Sequence, residues 1–291
     1  MADLRLTPAR GDIAARHLEG QVIADRFVDG EPLVVIDPIA PLRQQPHAGA
    51  ELATQALKGE RVTIYDRNGE GWAWGQLATD GYVGWLPDAA LASPAAAPTH
   101  RISALRSFAF PGPSIKLPPV ETLVMGSTIA VTREDASFVV TADGQFVPKP
   151  HVAPLDAVVP DFVAVAERFV GTPYLWGGKS SLGIDCSGLV QVSLQAAGTA
   201  CPRDSDMQLA ALGHALTDHE PAQLRRGDLM FWKGHVAIVR DAETIVHANA
   251  FHMATQIEPV REAIARIKAG GSEVLAIKRM TATTPHHAGM S

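Results

Sequence analysis

The chain has 291 residues, 46% of them hydrophobic, with 25 basic and 31 acidic side chains and a formal net charge of −6. That composition supports a buried core and excludes a chain disordered throughout. With no basic block in it, nucleic acid is not an expected partner.

Residues 1–30 read as an N-terminal arm with a short helix near Ile13–Glu19. Residues 31–92 are rich in strand patterns. "PLVVIDP" and "RVTIYDR" are short strands, and "WAWGQLATDGYVGWLP" alternates through an Asp80-Gly81 turn. "SPAAAPTHR", residues 93–101, reads as a linker. Residues 102–155 repeat the β texture, with strands over "TLVMG", "TIAVTRE" and "SFVVTA". Segments of this size form small closed or half-closed barrels, because closure hides strand edges.

From residue 156 the texture changes. "DAVVPDFVAVAERFVG" has helical spacing and ends at Gly171. A turn, "GTPYLWGG", precedes a helix starting at Cys186, and a further helix is expected over Ser205–Leu212. Three strands follow, over "DLMFWK", "HVAIVRD" and "TIVHANA". "EPVREAIARIKAGG" reads as helix and "EVLAIKRM" as a last strand. Residues 282–291 are expected to form a flexible tail. Helices first and strands after them indicate an α+β fold.

The first residues hold no apolar run of signal-peptide length, and no stretch of about 18 apolar residues follows. A cytoplasmic location without a membrane partner is therefore expected. Two cysteines make no disulfide framework. Cys201, just before Pro202, is expected only to pack.

Cys186 is different. It opens the apolar helix of "GIDCSGLVQVSLQAAG", where unpaired N–H groups and the helix dipole favour an anion. A thiol placed there ionises more easily. His235 opens one strand and His247 closes the next. Paired antiparallel, those strands bring both imidazoles to one sheet edge, where the helix mouth can pack over them. Cys186 is then a candidate nucleophile, His235 its base and His247 the group that orients the base. Two other readings stay open. Cys186 can be core filler, or the three residues can be zinc ligands, although no C-x-x-C or H-x-x-x-H pair anchors a metal site. No cofactor and no metal is expected.

"GTPYLWGGKSSLGIDCSGLVQ", "PRDSDMQ", "RRGDLMFWKGHVAIV" and "IVHANA" come in order within residues 158–278. Together they resemble the NlpC/p60 family of cysteine peptidases. "PLRQQPHAGAELATQALKGERVTIYDRNGEGWAWGQLATDGYVGWLP" resembles a bacterial SH3-like domain, and residues 102–155 resemble a second one more weakly. The resemblance implies an α+β papain-like catalytic domain over 156–281, preceded by two small SH3-like β-barrels over 31–92 and 102–155. It implies Cys186 as nucleophile, His235 as general base and His247 as third polar residue. This order of modules is similar to dipeptidyl-peptidases of the family that act on free wall peptides.

The implied reaction cuts the bond between γ-D-Glu and a diamino acid in free murein peptides with an unblocked N-terminal L-Ala. Asp185, Ser187, Ser205, Glu51 and Tyr82 are then expected around the substrate ammonium, with Tyr174 and Trp176 lining the cleft. Plainer roles remain for several. Asp185 fits a helix N-cap, Glu51 a solvated surface acid and Tyr82 packing between Trp72 and Trp85; Tyr174 and Trp176 fit core packing. Two rival functions are an exported hydrolase anchored on intact wall by its SH3-like modules, and a wall-peptide binding protein without catalysis.

Overall fold

A computed structural model describes residues 3–216 and 223–280. The tail expected over 282–291 lies outside the described residues. The chain divides after Ala157 into two compact units.

In the first unit, residues 31–92 form a seven-stranded antiparallel sheet. Its centre is the pairing of Trp72–Leu77 with Val83–Pro87, the stretch that alternates through the Asp80-Gly81 turn. Two further strands, Ile39–Arg43 and Leu52–Leu57, were not legible as strands. The first carries a proline and the second two polar residues, which blurs their alternation.

The arm differs from its expected form. Only Arg16–Leu18 is helical, as one turn of 3₁₀ helix. Ala14–Ala15 instead pair in parallel with Phe27–Val28, and Ile13 is buried against Trp74 and Trp85. Tertiary burial of an apolar run outweighs weak helix propensity here. The Arg10 guanidinium stacks over both indoles, 4.6 Å from Trp74 and 4.9 Å from Trp85, and pairs with Asp12 and Asp66. The arm is thus packed onto the first sheet.

Residues 100–154 form three small sheets of two or three strands. One apolar cluster, with Ile102, Leu123, Ile129, Val139 and Val147, fills the space among them. Lys58 of the first module bonds Glu121 of the second at 2.7 Å, and Thr128 N–H donates to the Lys58 carbonyl.

The second unit is built on a six-stranded sheet. Its strands are β1 (His214–Ala215), β2 (Leu229–Trp232), β3 (His235–Val239), β4 (Thr244–Asn249), β5 (Ala254–Pro259) and β6 (Ala276–Arg279), in the order β1-β6-β2-β3-β4-β5. Among the described residues four α-helices accompany it: α1 (Phe162–Arg168), α2 (Cys186–Ala196), α3 (Ser205–Ala211) and α4 (Val260–Ala269). α1 is shorter than its apolar spacing suggests. Pro160 delays the start, and Asp161 caps it by accepting the N–H of Val163 at 3.0 Å.

Met230, Trp232, Ala237, Val239, Ile245 and Ile277 project from the sheet onto Val260 and Ala263 of α4. α2 packs on α1 and on β3 and β4. Its first nine residues are all buried, the polar Ser187, Gln191 and Ser193 among them. Among the described residues no helix is long and apolar enough to cross a membrane.

Candidate active site

Asp185 is the N-cap of α2 and fixes the position of Cys186 next to it. Its Oδ1 accepts the N–H of Gly188 at 2.7 Å, and its Oδ2 accepts the N–H of Gly177 at 2.8 Å. Arg203 grips the same carboxylate from the side, with Nη1 at 2.9 Å and Nη2 at 2.7 Å. The Ser187 hydroxyl lies between them, 3.3 Å from Asp185 Oδ1 and 2.9 Å from Arg203 Nη1. Arg203 is only 1% exposed, so this is a buried, bidentate, hydrogen-bonded ion pair. Gly188 allows the fit: a Cβ there would stand 2.3 Å from the carbonyl oxygen of Gly178.

The antiparallel register brings the histidines together. Ile238 lies opposite Val246, so His235 and His247 share one sheet face on neighbouring strands. Nε2 of His235 is 2.9 Å from Nδ1 of His247. The Nδ1 of His235 is not committed to this bond. Cys186 accepts a hydrogen bond from the backbone N–H of Val236, the residue after His235. A helix start and a strand start therefore present thiol and imidazole from adjoining backbone positions.

His247 continues the chain of contacts. Its Nε2 lies 2.9 Å from Oε2 of Glu258, and Arg266 of α4 donates to both oxygens of that carboxylate, at 3.0 and 2.6 Å. Glu258 faces Ile245 across β4 and β5, diagonally from His247 on the same face. Sequence reading missed Glu258 because "EPVREAIARIKAGG" reads as helix from its first residue. β5 runs through Pro259, and α4 begins at Val260.

Burial, with the negative charge of Asp185, pushes the Cys186 thiol up to about 12. Burial, with the neighbouring His247, pushes His235 down to about 3. Against a burial cost, the His247 hydrogen bond and the Arg266 guanidinium hold Glu258 down at about 2. The resting pair is thus neutral thiol and neutral imidazole, backed by an ionised carboxylate. Proton transfer from Sγ to His235 creates both charges together, and their attraction offsets part of the cost of burying each.

The NlpC/P60 family model matches residues 171–269, and the bacterial dipeptidyl-peptidase SH3 domain model matches residues 42–91. The second unit is an NlpC/P60 domain.

A solved NlpC/P60 family protein from Bacillus cereus has the same fold over 86% of this chain and 99% of its own, with a TM-score of 0.72 at 21% identity. The gamma-D-glutamyl-L-lysine dipeptidyl-peptidase of Bacillus cereus is 27% identical over 72% of this chain and 71% of its own length. The dipeptidyl-peptidase 6 of Lysinibacillus sphaericus is 29% identical over 74% of this chain and 87% of its own length.

Within the NlpC/P60 domain, Cys186, Asp185, Ser187, His235 and His247 fall in one connected cluster. Tyr174 belongs to it as well. Burial, with the charges of Cys186 and Asp185, raises its hydroxyl above the usual phenol range. Ser205 heads α3, whose Gln208 donates to the Ser187 carbonyl at 2.9 Å and so ties α3 to the start of α2. Trp176 is 60% exposed, which rules out the core-packing role open to it in the sequence. Glu51 and Tyr82 lie in the first unit. Glu51 is exposed, and Tyr82 is buried with its N–H donating to Asp80 Oδ1 at 3.1 Å. Arg203, Glu258 and Arg266 are the members of the cluster that sequence reading did not single out.

The buried histidine has a consequence for stability. Unfolded, its ring takes a proton near the ordinary value of about 6.5; folded, it does so only at about 3. Unfolding therefore binds a proton between those values, and the free energy of unfolding falls as pH drops through that window. Glu258 adds a second loss, from its ordinary value of about 4.3 down to about 2. Urea titrations from pH 7 to pH 3 are expected to show this decline, with a shallower slope in His235→Ala. A slope equal in the two proteins contradicts the assignment.

Proposed function

We propose that the chain is a cysteine peptidase that hydrolyses the γ-D-Glu–diamino acid bond of free murein peptides carrying an unblocked N-terminal L-Ala. The observation that carries this reading is the 2.9 Å contact between His235 Nε2 and His247 Nδ1, which leaves Nδ1 of His235 for the thiol. The name of the Bacillus cereus relative, a gamma-D-glutamyl-L-lysine dipeptidyl-peptidase, supports the choice of bond. Cytoplasmic work on released peptides is part of the proposal.

Sγ of Cys186 attacks the γ-carbonyl of D-Glu while Nδ1 of His235 takes the thiol proton. The C–N bond breaks, the same proton passes to the departing amine of the diamino acid, and L-Ala-γ-D-Glu is held as a thioester. Water then attacks that thioester and gives a proton to His235; the C–S bond breaks, L-Ala-γ-D-Glu leaves with a free γ-carboxyl, and His235 returns the proton to Sγ. The oxyanion of each tetrahedral state is met by the backbone N–H of Cys186, which as the first residue of α2 has no carbonyl partner within the helix.

Amine recognition is assigned to Ser187 and Ser205. Asp185 contributes less, because Arg203 already matches its charge. L-Ala-γ-D-Glu-L-Lys and its diaminopimelate counterpart are expected to be cut, and the N-acetylated forms to be cut roughly 10²-fold more slowly or worse, because a buried acceptor is left unpaired. Chromatography of the products gives both rates. Equal rates on free and acetylated peptide contradict the proposal.

A further inference from the structure

Hydrogen-bond direction along the buried chain His235–His247–Glu258–Arg266 follows from its last anion. A carboxylate facing Arg266 only accepts, and an imidazole in its neutral form carries one donor and one acceptor nitrogen. Nε2 of His247, 2.9 Å from Glu258 Oε2, must therefore hold a hydrogen. Its Nδ1 is then bare and accepts. Across the 2.9 Å contact, Nε2 of His235 must be the donor. A neutral His235 carries one hydrogen, already on Nε2, so its Nδ1 is bare as well.

We infer that Glu258 is a positioning residue that sets the tautomers of both histidines, so that His235 faces the Cys186 side with an empty lone pair. This rests on the reading of Cys186 and His235 as nucleophile and base, but not on the peptide they act upon. Arg266 keeps Glu258 in place by donating from Nε at 3.0 Å and from Nη2 at 2.6 Å. Phe251 covers that guanidinium, with its ring centroid 4.4 Å from Arg266 Cζ. Glu258 is 8% exposed and His247 is fully buried, so water does not compete for these bonds. His252, the remaining imidazole near His247, turns its Nδ1 to Asn249 Oδ1 at 3.0 Å and stays out of the chain.

The substitution Glu258→Gln separates positioning from bulk. Glutamine keeps the volume but offers a single acceptor oxygen. Arg266, which only donates, claims that oxygen, and the amide NH₂ turns to His247. Nε2 of His247 must then accept, its hydrogen moves to Nδ1, and His235 in turn carries its hydrogen on Nδ1. The lone pair that should receive the thiol proton is gone. Glu258→Asp keeps an acceptor-only group and is expected to keep the original tautomers.

The test uses the full chain labelled with ¹⁵N-histidine, and it needs no peptide substrate. Imidazole ¹⁵N spectra give the protonated nitrogen of each ring, and iodoacetamide, followed by mass spectrometry of the Cys186 peptide, gives the thiol's reactivity. Hydrogens on Nε2 of both rings are expected in the wild type and in Glu258→Asp, and on Nδ1 of both in Glu258→Gln. Alkylation of Cys186 in Glu258→Gln is expected to slow roughly 10²-fold or more, since a wrong histidine tautomer costs about 10⁴ in a comparable triad. A wild-type His247 with its hydrogen on Nδ1 overturns the inference, whether or not the variants fold. So does a folded Glu258→Gln with wild-type tautomers and wild-type alkylation. If these tautomers are found and free murein peptides are not cut, the proposed substrate fails while the positioning role stands.

Discussion

Cys186→Ala is expected to lower kcat/KM on L-Ala-γ-D-Glu-L-Lys by roughly 10⁵- to 10⁶-fold, the scale on which loss of a nucleophile acts in a hydrolase triad. The loss should fall on kcat, with KM little changed, because the sulfur acts on the reacting carbonyl rather than on the ends of the peptide. Folding should survive. The cap of α2 is made by Asp185 with Gly188 N–H, and Arg203 holds Asp185 independently of the thiol. Circular dichroism and urea unfolding distinguish a lost reaction from a lost fold. A variant that keeps more than about a hundredth of wild-type activity removes Cys186 from the central step.

Arg203→Ala is expected to destabilise the second unit by about 3–5 kcal/mol, because it leaves the Asp185 carboxylate buried without its cation. Arg203 is 1% exposed and Asp185 7%, and Nη1 and Nη2 of the guanidinium each have acceptors within 3.2 Å. The damage is local to the chemistry. Asp185 ties together Gly177, Ser187 and Gly188 around the start of α2, so losing it loosens the seat of Cys186. The double variant Asp185→Asn with Arg203→Ala should recover part of the stability, since it removes the orphaned charge as well. Urea unfolding of the two single variants and the double gives the coupling. A loss below about 1 kcal/mol in Arg203→Ala contradicts the account, because that is the range of an ordinary substitution.

These residues show why part of the site was readable in the sequence. Asp185 before an apolar helix is a local cap signal, and local signals need no knowledge of tertiary contacts. His235 and His247 were placed together by strand length and antiparallel order alone. α4 and the central strands were readable for the same reason, because their periodicity is strong.

What escaped notice depends on distant partners. Arg203 sits in a connection between α2 and α3, and nothing in "CPRDSD" marks it as buried. It is buried because Asp185, 18 residues earlier, is there to meet it. Glu258 was assigned to the wrong element. Its neighbours Pro259 and Val260 begin a helical pattern, but the ladder to β4 holds Ala254–Pro259 as an edge strand. The arm misled in the same way. Ile13, Ala14 and Ala15 suit a helix turn locally, but the two tryptophans of the first sheet offer burial that a solvent-exposed helix does not.

The central claim is that one sulfur, Cys186, becomes covalently joined to the D-Glu γ-carbonyl during each turnover. Rapid mixing with L-Ala-γ-D-Glu-L-Lys, acid quench and mass spectrometry of the Cys186 peptide test it directly. The account predicts a transient mass increase on that peptide equal to L-Ala-γ-D-Glu less one water, absent in His235→Ala. Full turnover by enzyme whose Cys186 is completely alkylated would contradict it.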